Sequence, residues 1–311
     1  MKKLSQEALA RAREFIRTQA RPLDWALFEH RFEGAGPEVV VGALTAFRNE
    51  DGGFGHALEP DVRTPDSSAL ATGIALGLLK ELGYGPDQSL VRGAVAFLLD
   101  TFDARAQVWR VVPESTNRYP HAPWWHDENG SLARTFDGFL IIPRAQIVGL
   151  LHHFRDGLPA NWLTPLTGRT VADVETIDML GTGGGDDLAY ALNLAETMAV
   201  PLTYRQRLAA RIRAMVPKVV SRDPEAWATY CIQPLKVAPS PRSLAADLIW
   251  EEVQANLDYQ IEQQSPEGTW DPVWNWGGTY PEAWAQARQE WRGQLTLETL
   301  TALQAYGRLA P

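Results

Sequence analysis

Cysteine is almost absent from this chain of 311 residues, in which Cys231 is the single thiol. One cysteine excludes an internal disulfide and is typical of a reducing compartment, so we expect a cytoplasmic protein. The residues after the first methionine and two lysines are polar, with Ser5, Gln6 and Glu7, which is unlike a secretory signal peptide. No apolar run approaches the ~18 residues that a membrane span needs, and no transmembrane segment is predicted.

The sequence also has few basic residues and few metal-binding patterns. The chain has 29 Lys and Arg against 38 Asp and Glu, a formal net charge of -9, which argues against a nucleic-acid partner. The sequence has neither a Cys-x-x-Cys nor an Asp-Asp-x-x-Asp motif. Its histidines do not pair at i, i+4 on a predicted helix, so we predict no metal site and no other cofactor; those considered were His121, His126, His152 and His153.

Two glycine-containing turns share one pattern. The first, at residues 49–55, reads Asn-Glu-Asp-Gly-Gly-Phe-Gly, and the second, at residues 266–270, reads Pro-Glu-Gly-Thr-Trp. In both turns an acidic residue precedes a glycine, and an aromatic residue lies two positions after that glycine. Glycine permits the positive φ that reverses the chain between two helices. A turn that recurs between helical runs indicates an internal repeat.

Helical periodicity dominates the rest of the sequence, which contains about twelve predicted helical segments and no convincing strand. Small residues between 66 and 82, such as Ala69, Gly73 and Gly77, would let helices approach closely and predict an inner helix. About six antiparallel helix pairs would close into a ring. We therefore predict an all-α fold, an (α/α)6 toroid forming one domain over residues 1–311. The irregular, proline-rich segment 103–142 is predicted to be an ordered lid that directs Trp124 or Trp125 at the cavity.

The two turns, at 47–55 and 263–270, resemble the repeat motif of the squalene cyclase and prenyltransferase superfamily. In that motif a glutamine and an aromatic residue bracket a glycine turn. Residues 92–109, which include Gln107-Val108-Trp109, resemble a degenerate third copy. The pattern is also similar to that of bacterial proteins described only as prenyltransferase-like. The resemblance implies an α/α toroid that holds an apolar, isoprenoid-like molecule in its axial cavity.

Residues 184–189, Gly-Gly-Asp-Asp-Leu-Ala, resemble the Asp-x-Asp-Asp-Thr-Ala motif of class II, protonation-initiated terpene cyclases. Asp186 matches the middle aspartate, which is the acid in that family, and Asp187 matches the last. The chain departs from the motif at Gly184 and Leu188, which replace an aspartate and the threonine. Two carboxyl groups in a dry cavity repel each other, so one can stay protonated and donate its proton to an alkene. Alternatively, both acids cap their helix.

The predicted substrate-binding residues lie in irregular segments. Glu59 and Asp61, in the sequence Glu-Pro-Asp-Val-Arg, could hold a polar group or supply an acid, or could form an ion pair that fixes the loop. Aromatic faces stabilise carbocations and also stack on sugar rings, although each tryptophan could equally pack in the core. The tryptophans concerned are Trp124, Trp125, Trp274 and Trp276.

Three alternatives to an isoprenoid cyclase follow. A carbohydrate-active toroid would use carboxylates such as Glu59, Asp61 and Asp127 across a cleft. A non-catalytic toroid would bind a ligand without converting it. A zinc-dependent protein prenyltransferase is the poorest match, because such enzymes have an aspartate two residues before the cysteine, where this chain has Thr229 before Cys231. The oligomeric state is left open.

Overall fold

The computed structural model describes residues 1–128, 130, 132, 141–156, 158, 160–177 and 186–311, and these residues are mostly helical. The prediction of an all-α class is confirmed. The described sheet has two antiparallel strands, β1 (Phe102–Asp103) and β2 (Val108–Trp109). None of the described helices is long and apolar enough to cross a membrane. The helices are α1 Gln6–Gln19, α2 Pro22–Phe32, α3 Pro37–Leu44, α4 Ala69–Glu81, α5 Ser89–Asp100, α6 Arg144–His153, α7 Ala160–Thr176, α8 Asp186–Glu196, α9 Leu202–Val219, α10 Pro234–Val237, α11 Trp250–Gln263 and α12 Pro281–Ala305.

The described chain divides into two compact units. The terminal unit contains Met1–Leu44 and Arg213–Pro311, and the central unit contains the described residues between 45 and 212. Helix α9 contributes residues to both units. The grouping of all residues into one domain stays a prediction.

In the terminal unit the two ends of the chain pack together. Leu4 pairs with the C-terminal segment, since its amide donates to Arg308 O at 2.8 Å and its carbonyl accepts from Ala310 N at 2.9 Å. Helix α1 is capped by Ser5, whose Oγ accepts from Ala8 N at 3.1 Å. The buried face of α1 carries Ala8, Ala12, Phe15 and Ile16. This apolar face packs against α2 and α12, so the N- and C-terminal segments share one core.

The second glycine turn lies in the terminal unit and is fixed by backbone hydrogen bonds. Gly268 has a φ of 92° and donates to Ser265 O at 2.9 Å. Trp270 N donates to the buried Oγ1 of Thr296, on α12, at 3.2 Å. Gln264 Nε2 donates to Ala8 O at 3.0 Å, which ties the turn to α1. The glutamine and the aromatic residue of the predicted motif therefore both anchor the turn.

The first glycine turn, in the central unit, makes equivalent hydrogen bonds. Gly52 has a φ of 86° and donates to Asn49 O at 3.1 Å. Phe54 N donates to the buried Oγ1 of Thr72, on α4, at 3.0 Å. Asp51 Oδ1 accepts from Gly53 N at 2.9 Å, which gives the acid of the turn a structural role. The two turns are thus equivalent corners, as the repeat predicts.

A third corner lies at residues 107–109 and includes β2. Gln107 occupies the position of the turn glycines and has a φ of 61°, uncommon for a residue with a side chain. Trp109 Nε1 donates to Leu98 O at 2.6 Å, much as Trp270 Nε1 donates to Gln260 O at 2.8 Å. The third corner is thus locally similar to the corner at Gly268, and its assignment as a degenerate copy of the motif stays a prediction.

The helices of the central unit approach closely where small residues lie. Helix α4 contacts α5 and α6, and α6 contacts α7 and α8. A Cβ added at Gly73 of α4 would lie 3.6 Å from Ile147 of α6, so the helices are in contact at that glycine. The N-cap of α4 is Ser68, whose Oγ accepts from Ala71 N at 2.9 Å. The preceding residue, Ser67, donates its hydroxyl to Asp51 Oδ1 at 2.8 Å.

The long connection after α5 is ordered where it is described. It contains β1, β2 and two short 3-10 helices, Glu114–Arg118 and Pro123–Trp125. Residues 120–122 pair with residues 61–63, because Arg63 N donates to Pro120 O at 3.1 Å and Ala122 N donates to Asp61 O at 2.9 Å. Residues 129, 131 and 133–140 of the predicted lid lie outside the described residues. Its placement over a cavity stays a prediction.

Candidate functional site

A strained segment leads from the first corner into the predicted site. His56 and Ala57 are consecutive and have φ values of 52° and 60°. Side chains with a Cβ rarely adopt this left-handed conformation, and such residues cluster at functional sites. His56 is held by Asn49, whose Oδ1 lies 2.8 Å from His56 Nε2. Asn49 Nδ2 in turn donates to Pro65 O at 2.9 Å, so both ends of the segment are fixed.

Immediately after this segment lie the predicted residues Glu59 and Asp61. Glu59 is half-buried, whereas Asp61 is only 2% exposed. The backbone between them forms a turn in which Val62 N donates to Glu59 O at 3.1 Å. Arg63 Nη1 donates to Pro60 O at 3.3 Å. The turn therefore holds an acidic pair in a largely buried loop.

Glu59 and the predicted catalytic pair all lie close enough to one phenol to raise its pKa. Burial raises the pKa of Tyr190, and the nearby carboxylates of Asp186, Glu59 and Asp187 raise it further, in that order. Asp186 and Asp187 are the first residues of α8, and Tyr190 follows one turn later. Gly184 and Gly185 of the predicted motif lie outside the described residues. The central unit thus groups three carboxyl groups near a desolvated hydroxyl.

Tyr190 is a site residue that the sequence analysis missed. It lies four residues after Asp186 and three after Asp187, and these spacings place side chains on one helical face. That spacing was the available signal. The side chain is partly accessible to solvent, although burial is the largest cause of its raised pKa.

Tyr190 keeps its proton because burial and the negative charge of Asp186, Glu59 and Asp187 all oppose ionisation of the phenol. The N-terminal end of α8, where Asp186 and Asp187 lie, favours negative charge. A protonated phenol and a carboxyl group are both groups that general acid catalysis uses.

A histidine pair lies beside the Glu59–Asp61 loop. His121 pairs with Val62 in an isolated bridge. Its Nδ1 lies 2.6 Å from Tyr119 O and therefore carries the proton, which leaves Nε2 as the acceptor. His126 Nδ1, at 3.0 Å from that Nε2, is the donor. Burial lowers the pKa of His121, and the adjacent His126 adds to the shift.

Acidification is expected to destabilise the protein through its histidines. Burial lowers the pKa values of His121, His152 and His153. The folded state therefore favours the neutral rings, and the unfolded chain binds more protons below its pKa of ~6.5. Stability should be fully present above pH ~6.5 and fall as the pH drops through the folded pKa values. Chemical denaturation between pH 8 and pH 5 measures this slope.

The variant His121→Gln tests the contribution of the pair. Glutamine retains hydrogen-bonding groups but does not titrate in this range. We expect a shallower decline of the unfolding free energy between pH 7 and pH 5 than in the unmodified chain. An unchanged slope would show that the His121–His126 pair does not account for the pH dependence.

The predicted tryptophans occupy different environments. Trp125 is buried and Trp124 half-buried, both in the connection of the central unit. In the terminal unit, Trp276 has no exposed surface and packs on Trp284 with ring centroids 5.6 Å apart. Trp274 lies edge-on to Trp291 at 5.1 Å and is half-buried. Their role as substrate-binding residues stays a prediction.

A further acid with a raised pKa lies on α12 in the terminal unit. Burial raises the pKa of Glu298, although its side chain is accessible to solvent. Gln294 Nε2 donates to Glu298 Oε1 at 2.9 Å, which partly offsets the shift. An acid with a raised pKa retains its proton at higher pH. The sequence analysis did not single out this residue.

The remaining candidates are bound locally. His152 Nε2 lies 2.8 Å from Thr167 Oγ1, and Asp127 Oδ1 accepts from Leu132 N at 3.3 Å. Cys231 Sγ donates to Ala226 O at 3.3 Å, and burial raises the pKa of this thiol. Within the described ranges, no group of three or more His, Cys, Asp and Glu side chains could hold a metal ion.

Comparison with known proteins identifies no significant relative of the chain. No protein-family model matches the chain, and no curated protein or solved structure matches it significantly. The likeness to the squalene cyclase and prenyltransferase superfamily therefore rests on the glycine corners and on the aspartate pair.

Proposed function

We propose that the helices close into an α/α toroid whose axial cavity holds an apolar, isoprenoid-type molecule. We further propose that an acid in this cavity starts class II cyclisation by protonating a double bond. The observation that carries the proposal is the grouping of Asp186, Asp187 and Glu59 around the desolvated hydroxyl of Tyr190. Class II cyclisation needs a protonated acid in a desolvated site.

The corners support the ring arrangement. A Cβ added at Gly52 would lie 2.7 Å from Gly93 O, so the first corner rests on α5, the helix that follows α4. A Cβ added at Gly268 would lie 2.5 Å from Ala12 N, so the last corner rests on α1, the first helix of the chain. A last repeat that packs on the first is what a closed ring requires, whereas an open solenoid leaves its terminal repeats apart.

The chemistry of the cluster fits a proton-initiated isomerisation. One carboxyl O–H transfers its proton to an alkene carbon, which leaves a carboxylate and a carbocation. The π-bonds of the same molecule then attack the cation and form rings, and loss of a proton from carbon gives a product of the same mass. Aromatic faces stabilise the intermediate cations, and by the family resemblance Asp186 is the acid.

Incubation with linear polyprenyl compounds tests the proposal. The purified protein is mixed with squalene, with an all-trans polyprenyl alcohol and with its diphosphate, and the products are analysed by mass spectrometry. We expect an isomer of unchanged mass with fewer double bonds. The carbohydrate-active alternative would be favoured if the protein converts none of the three compounds but releases reducing ends from a panel of oligosaccharides. Tight binding without conversion would favour the non-catalytic one.

A further inference from the structure

A separate pocket of about 240 Å³ lies within the central unit. It is formed where α4 and α8 end and where α6 passes both of them. Gly77, Lys80 and Glu81 come from α4, and Gln146 and Leu150 come from α6. The pocket also includes Thr197, just after the C-terminal end of α8, whereas Asp186 is the first residue of that helix.

Lys80 is held in place within this pocket. Its Nζ donates to Thr197 Oγ1 at 3.2 Å. The Thr197 hydroxyl donates its own hydrogen to Asn193 O at 2.7 Å, so its oxygen is left to accept from the lysine. Thr197 is only 3% exposed, which fixes this acceptor. An ammonium group has three N–H donors, and one of them is used in this bond.

The lysine is partly desolvated. Burial lowers the pKa of Lys80, and Glu196 partly opposes the shift. The charge of Lys80 also lowers the pKa of the neighbouring His153, whose larger cause is burial. An anion in the pocket would restore the electrostatic stabilisation that Lys80 loses on burial.

We propose that this pocket binds a small organic monocarboxylate, with Lys80 as its cation. A single negative charge fits best because Glu81 lies on the rim and Glu196 nearby, and both oppose a dianion. Leu150 and Gly77 supply apolar surface for a short carbon chain. At ~30 Å³ per displaced water, the pocket holds a molecule the size of hexanoate or benzoate. This site is independent of the proposed function.

Titration with sodium hexanoate and sodium benzoate, followed by NMR, tests the site. Binding should shift the resonances of Lys80 and raise the pKa of His153, since the anion offsets the lysine charge. The neutral analogue hexanamide should bind at least ~10-fold more weakly, because it lacks the charge-assisted hydrogen bond. Inorganic phosphate should also bind more weakly. Equal binding of the amide, or tighter binding of phosphate, would overturn the proposal.

Variants separate the charge from the shape of the pocket. Lys80→Gln should weaken hexanoate binding by about 10- to 100-fold, whereas the exposed Lys3→Gln in the terminal unit should leave it unchanged. Glu81→Gln should strengthen binding, because it removes a negative charge from the rim. Gly77→Leu keeps Lys80 but fills the pocket and should abolish binding, and leucine favours the helix more than glycine does. Unchanged affinity in Lys80→Gln or in Gly77→Leu would refute the site.

Discussion

Asp186→Asn is expected to reduce conversion of a linear polyprenyl substrate by about 10²- to 10⁴-fold, the usual contribution of a general acid. Asparagine keeps the size of the side chain and can still accept a hydrogen bond at the start of α8, but it cannot donate a proton to an alkene carbon. The unfolding temperature should therefore change little. Product formation under single-turnover conditions measures the loss directly, because product release does not then limit the rate.

Matched variants identify which acid acts. Glu282→Gln replaces an exposed acid in the first turn of α12 and should retain full conversion. Asp187→Asn, Glu59→Gln and Glu298→Gln test the other desolvated or neighbouring carboxyl groups. If Glu298→Gln loses activity and Asp186→Asn keeps a normal rate, the acid that protonates the substrate is Glu298 on α12. If Asp186 only caps α8, Asp186→Ala should cost about 1 kcal/mol of stability and leave any conversion intact.

Gly268→Ala is expected to lower the free energy of unfolding by about 2–5 kcal/mol. Part of the loss comes from the left-handed backbone, where a Cβ costs roughly 1–2 kcal/mol. The rest comes from contact, since the new Cβ would lie 2.5 Å from Ala12 N of α1 and would force the corner away from that helix. Overpacking of this kind costs about 1–3 kcal/mol. Thermal and chemical unfolding measure the change.

Gly34→Ala provides a control in the same unit. Gly34 has a φ of 75°, but a Cβ there would meet no atom within 4 Å. Its replacement should therefore cost only the backbone term of roughly 1–2 kcal/mol. Gly52→Ala, whose Cβ would lie 2.7 Å from Gly93 O, should behave like Gly268→Ala. Equal losses in Gly34→Ala and Gly268→Ala would show that close packing at the corner contributes nothing.

The corners illustrate how far local sequence could lead. A glycine between an acid and an aromatic residue predicts a reversal with a positive φ, and Gly52 and Gly268 both adopt it. The threonines that accept from these corners, Thr72 and Thr296, were not predicted. They follow the aromatic residue by different numbers of positions, so no fixed spacing marks them. The same limit applies to Gln107, whose side chain gives no local signal for a positive φ.

The sequence by itself determined the helical class, the glycine corners and the acidic residues that deserved testing, because periodicity, φ preference and charge are properties of residues and their near neighbours. Only the tertiary structure grouped Glu59 with Asp186 and Tyr190, and only it placed Lys80 against Thr197. Glu59 is more than a hundred positions from Asp186, and so is Lys80 from Thr197, so their proximity depends on how whole helices pack. Desolvation likewise arises from surrounding atoms of distant segments, so the raised pKa of Tyr190 and the lowered pKa of Lys80 exist only in the folded protein.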